Sequence, residues 1–142
     1  MISYDKDFYG WVQDQAAALR AGRLSDLDIE HLIDEVEAMG RSERRALESR
    51  LVVLLVHLLK WKYQPARRGR SWQLTCKGQR INFEEILDDN PSLKSQLDTL
   101  LSRAYDKAVI DAATETGLDE ETFPPSCPWT WTQIRDTTFY PD

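Results

Sequence analysis

Apolar residues recur at three- and four-residue steps from the beginning of the chain, and that spacing predicts helices. Tyr4, Phe8, Trp11, Val12 and Leu19 share one side of a first helix ending near Gly22, with Asp7, Gln13, Asp14 and Arg20 on its solvated side. A second helix is expected from Ser25 or Asp26, either of which can cap a first turn, with Ile29, Leu32, Ile33, Val36 and Met39 as its buried stripe. Gly40 is expected to interrupt it and Ser42 to cap a third helix carrying Leu47, Leu51, Leu54, Leu55 and Leu58. Val52, Val53 and Val56 widen that stripe, which marks a central helix, and Tyr63-Gln64-Pro65 ends it because proline disfavours helical geometry in the residue before it.

Trp72, Cys76, Phe83 and Leu87 predict a fourth helix, although Gly78 costs about 1 kcal/mol against alanine there. Asn90-Pro91 reads as a cap and first position of a long fifth helix through Leu93, Leu97, Leu100, Leu101, Ala104, Ala108 and Ala112, stopped at Gly117. Beyond it, Phe123, Trp129, Trp131 and Phe139 alternate with Pro124, Pro125, Pro128 and Pro141, a segment too aromatic for a disordered tail. The expected architecture is therefore one all-α domain over 1–142: a bundle of about five helices in 1–117 and a C-terminal segment, 118–142, wrapped on it. A chain of 142 residues is long enough to bury about two thirds of its unfolded surface.

Charge changes the picture in one place. The chain has 24 acids, 18 bases and a net charge of -6, yet no acid lies between Ser49 and Phe83. Within that gap Lys60 to Arg80 carries seven cations. A net-acidic chain is not a general nucleic-acid binder, so any anion site is local. The longest apolar run, Leu51 to Leu59, falls well short of the roughly 18 residues of a membrane span, and the start lacks a secretory signal pattern, so a cytoplasmic chain with no membrane partner is expected. Cys76 and Cys127 form no CxxC or Cys/His ladder; they read as two free thiols, one disulfide being the alternative.

Leu32-Ile33-Asp34-Glu35-Val36-Glu37, Met39-Gly40-Arg41-Ser42, His57-Leu58-Leu59-Lys60-Trp61, Tyr63-Gln64-Pro65, Ser71-Trp72 and Pro91-Ser92-Leu93 form a distinctive set. With Glu115-Thr116-Gly117-Leu118, Phe123-Pro124 and Cys127-Pro128 they closely resemble the bacterial family called domain of unknown function 29, from about Tyr4 to Pro141. The resemblance implies a small helical protein with no established activity. It also implies an amide where His31 stands and a glutamate near Gly78, departures that weigh against a catalytic His31 and a helix through Gly78.

The basic strip interleaves Lys60, Lys62, Arg67, Arg68, Arg70 and Arg80 with Trp61, Tyr63 and Trp72, a composition suited to phosphate neutralisation and base stacking. The competing reading makes the tryptophans core residues and the arginines loop decoration. Arg68-Gly69-Arg70 is no phosphate-binding P-loop. On the helix over 27–40, Asp28, His31 and Glu35 form one line and Glu30, Asp34 and Glu37 the next, which offers metal-ligand spacing or simply a solvated acidic face. One helix cannot complete a metal site, and Glu48 or His57 would have to contribute.

His57, set among Val53, Val56, Leu58 and Trp61, is expected to be buried and neutral, bonded to backbone or to a tail residue in preference to acting as a proton-transfer group. Cys76 beside Lys77 and Arg80 could be an activated thiol, but only two histidines exist to assist it, and Cys127 reads as a packing residue. The functional expectation is a non-enzymatic binding or adaptor module that uses the strip over 60–80 for an acidic protein or nucleic acid, with no cofactor. The alternative is a metal-dependent phosphoester hydrolase using Glu30, His31, Asp34, Glu35 and Glu37, with His57 and Glu35 as candidate catalytic groups. Homo-oligomerisation through Val52, Val53 and Val56 is compatible with either.

Overall fold

The computed structural model describes residues 2–142. It is all-α: helices α1 (Phe8–Ala21), α2 (Ile29–Tyr63), α3 (Arg70–Asp89), α4 (Leu97–Thr116) and α5 (Trp131–Arg135), with no strand among the described residues. The chain divides into two compact units, Met1–Ser42 and Glu43–Asp142, and α2 contributes to both.

In the first unit, Asp7 caps α1 by accepting from the Gly10 amide at 2.9 Å. Gly22 ends the helix with φ 71, a left-handed conformation that glycine reaches without a Cβ clash. Ser25 and Asp26 do not start α2. They belong to the 3₁₀ turn Leu24–Asp26, and α2 begins after Asp28, whose carbonyl takes the Leu32 amide at 2.9 Å and whose carboxylate lies 3.4 Å from the His31 amide. The stripe expected to be buried is largely open: Ile33, Val36 and Met39 are 51%, 64% and 69% exposed, and Ile29 is exposed too. Trp11 and Ala18 are the buried apolar residues of this unit.

Gly40 does not break the helix, and Ser42 caps nothing. α2 runs unbroken for 35 residues, because strong helix formers on both sides of Gly40 outweigh its cost of about 1 kcal/mol. The five helices therefore differ in membership from those expected: two predicted elements are one, and the fifth lies in the tail.

In the second unit, Leu47, Leu51, Leu54, Leu55, Leu58 and Leu59 of α2 are buried with Phe83 and Leu87 of α3 and Leu100, Ala104, Ala108 and Ala112 of α4. α3 passes through Gly78, where an added Cβ would meet no atom within 4 Å. Asn90 caps the end of α3 instead of the start of the next helix, donating from Nδ2 to the Ile86 carbonyl at 2.9 Å. Pro91 opens a 3₁₀ stretch, Pro91–Gln96, before α4. The tail closes on this unit as expected: Phe123, Trp129 and Ile134 join the core, and the buried Tyr105 hydroxyl donates to the Pro124 carbonyl at 2.7 Å. Within the tail, Thr130 and Gln133 form a reciprocal capping box for α5. No described helix is long and apolar enough to cross a membrane.

Candidate functional site

Three cations of the basic strip are committed to internal contacts. Arg80 is only 2% exposed, and its Nε and Nη2 donate to the Ile134 and Phe139 carbonyls at 2.8 and 2.9 Å. Burial lowers its pKa, and its guanidinium tethers the tail instead of meeting a partner. That corrects its assignment as an anion-binding residue. Arg68 donates from Nε to the Trp61 carbonyl at 2.6 Å and from Nη2 to the Asp142 carbonyl at 2.9 Å, and stacks 5.4 Å from the Trp61 ring. Lys60 lies 4.9 Å from the Trp72 ring centroid and 3.9 Å from Glu115.

The tryptophans are partly covered as well. Trp61 packs 4.6 Å from the Tyr140 ring, and Trp72 meets His57 edge to face at 6.5 Å. Neither is an open stacking platform.

Lys62, Arg67 and Arg70 remain exposed, as does Lys77, and none has an ion-pair partner among the described residues. The local fold sharpens their meaning. Pro65–Arg67 forms a 3₁₀ turn, Gly69 is the residue before α3, and Arg70 is the first residue of that helix. Gly69 has no side chain to accept the first amides, and no acid lies in the first turn. The positive end of a helix macrodipole is thus bracketed by arginines with nothing anionic to offset it. The sequence signal for this arrangement was a glycine where a capping residue normally stands.

His57 accords with the backbone-bonded reading. Its Nδ1 lies 2.8 Å from the Val53 carbonyl of its own helix, and burial, with a smaller contribution from Lys60, holds its pKa below the ordinary value. It borders a cleft of about 320 Å³ with Val53, Asp111, Thr114 and Glu115. Glu48, weighed as a metal ligand, is buried between Arg103 and Lys107 at 3.3 and 3.1 Å. Burial raises Cys76 to about 11, overriding the opposite pull of Arg80, so the activating effect expected of its basic neighbours does not prevail. Cys127 is also free, and burial raises its pKa.

The acidic helix does not assemble a metal centre: no three His, Cys, Asp or Glu side chains come together among the described residues. Glu30, Asp34 and Glu37 are exposed, and Glu37 lies 3.9 Å from Arg41. Asp28 instead organises the first unit. Its amide donates to Gln15 Oε1 at 2.7 Å, and its Oδ2 lies 3.1 Å from Trp11 Nε1 and 2.7 Å from His31 Nδ1. That pair raises the pKa of His31 and lowers that of Asp28. Tyr4 stacks on the imidazole at 4.0 Å and donates its hydroxyl to Glu35, a contact that pushes the phenol up to about 12. This network ties the N-terminal segment, α1 and α2 together; residue spacing showed the Asp28, His31 and Glu35 line but not the aromatic groups that meet it.

Fold and geometry define a small all-α protein with an exposed cationic turn at a helix start. Residues 3–140 match the family model described as Domain of unknown function DUF29, and the chain belongs to that family. No curated protein and no solved structure matches it.

Proposed function

We propose that the chain is a non-enzymatic binding module whose cationic turn, Arg67 and Arg70 at the start of α3 with Lys62 in the last turn of α2, meets an anionic group of an acidic protein or a nucleic acid. The observation that carries this reading is the uncapped helix end flanked by unpaired arginines. An anion there would find free amides, the positive dipole end and two guanidiniums able to hold it in bidentate fashion. The exposed carboxylates of α2 offer no comparable assembly for metal-dependent hydrolysis.

The test is an anisotropy titration with labelled single-stranded and duplex oligonucleotides and with a poly-glutamate peptide, at low and physiological salt. Arg67→Glu with Arg70→Glu is the informative variant. Arg68→Glu would also break its bonds to Trp61 and Asp142 and confuse affinity with folding. Salt-steep binding that falls at least about tenfold in the double variant, with unchanged circular dichroism, is the expected result. Absence of binding to every probe at low salt, or equal binding by the variant, would refute the cationic turn.

A further inference from the structure

We infer that the first unit is a dimerisation element, and that a second copy of this chain covers the apolar face formed by α1 and the beginning of α2. Phe8 and Leu19 on α1, and Ile29, Ile33, Val36 and Met39 on α2, are between 49% and 69% exposed. On α2 the steps from Ile29 to Ile33 to Val36 follow one line of the helix, and Phe8, Val12 and Leu19 do the same on α1. A groove of about 320 Å³ lies in this unit, lined by Phe8, Leu19, Val36 and Met39 together with Gln15.

Area favours a second copy as the occupant. The six side chains present roughly 600 Å² per copy, so a symmetric pair would cover on the order of 1,200 Å², above the roughly 1,000 Å² expected of a specific interface. Glu30 and Glu37 border the exposed α2 stripe, three and four residues from Ile33. An isologous contact needs only the same apolar surface twice. Glu35, the one acid lining the groove, already accepts from Tyr4. Gly40 continues the Ile33 and Val36 line, and an added Cβ there would meet nothing within 4 Å. Nothing in the chain uses its missing side chain, but a partner helix could approach closely there.

The experiment is sedimentation velocity of the full chain from about 1 to 100 µM, a range that spans micromolar dissociation constants. The wild type is expected to reach twice the 16.5 kDa chain mass. Ile33→Glu with Val36→Glu is expected to sediment as a monomer with unchanged helix content, because both side chains are exposed in the single chain. Glu30→Gln with Glu37→Gln, on the charged flank, is expected to stay dimeric. A wild type that remains monomeric throughout the range overturns the inference and leaves the face to another partner. A dimer that survives the double glutamate variant overturns it equally, since a different surface would then be responsible.

Discussion

The two histidines show how neighbours set residue chemistry. His31 gains Asp28 as a partner, so its folded pKa lies above the ordinary 6.5. Its contribution to stability is full below that value and is lost as pH rises through the folded pKa. His57 is desolvated, and its folded pKa lies below 6.5. Its neutral state favours folding above 6.5, and that contribution is lost as pH falls toward the folded value. Between about pH 5.5 and 8, where histidine titrates, His31→Gln should leave a chain whose remaining histidine-linked stability declines on acidification, and His57→Gln one whose stability declines on alkalinisation. Imidazole proton shifts in NMR titrations would check both directly; two midpoints on the same side of 6.5 would contradict the assignment. At this scale spacing pointed to a buried His57 bonded to backbone or tail; the structure leaves it half-buried and bonded to the Val53 carbonyl. Spacing could not show that Arg80 is the more deeply buried cation, because Arg80 has its acceptors 54 and 59 residues away in the tail.

Among the elements, α3 combines a weak start with a glycine inside, and still forms because Cys76, Phe83 and Leu87 are buried on one face. Each such fully buried apolar side chain contributes about 1.5–3 kcal/mol, enough to outweigh a missing cap and Gly78 together. Gly69 has extended backbone that any residue can adopt, and an added Cβ would meet nothing within 4 Å. Gly69→Asp should therefore stabilise the protein by a few tenths to about 1 kcal/mol through capping and the helix dipole, read by urea denaturation. The same carboxylate should compete for the proposed anion position and weaken binding in the oligonucleotide or poly-glutamate titration. A stabilised variant with undiminished binding would separate the helix start from the binding surface. The ends at Gly22, Tyr63 and Gly117 were legible because glycine and proline act locally. The start at Ile29 and the passage through Gly40 were not, since several local caps and breaks competed and longer-range helix continuity decided between them.

For the whole molecule, the division expected at residue 117 is topological and not energetic. Phe123, Trp129 and Ile134 belong to the same core as the α2 leucines, while the tail carbonyls satisfy Tyr105 and Arg80. Burial of those three side chains alone is worth roughly 5–9 kcal/mol, comparable with the 5–15 kcal/mol stability of an entire domain. Truncation after Gly117 should abolish the cooperative melt and expose apolar surface to a dye such as ANS. A truncated chain that melts cooperatively near the full-length midpoint would show the tail to be a separable covering.

The sequence by itself determined the helical class, the leucine core of α2, the glycine and proline stops, and the confinement of positive charge to one segment, because each follows from residues close together along the chain. Tertiary structure decided which cations remain free, that both thiols and His57 are desolvated, and which apolar stripe lies open. Those outcomes depend on neighbours supplied by distant residues: the tail consumes Arg80 and Arg68, whereas Ile33, Val36 and Met39 stay exposed. Periodicity can show that a helix has an apolar face, but only packing decides whether that face is filled.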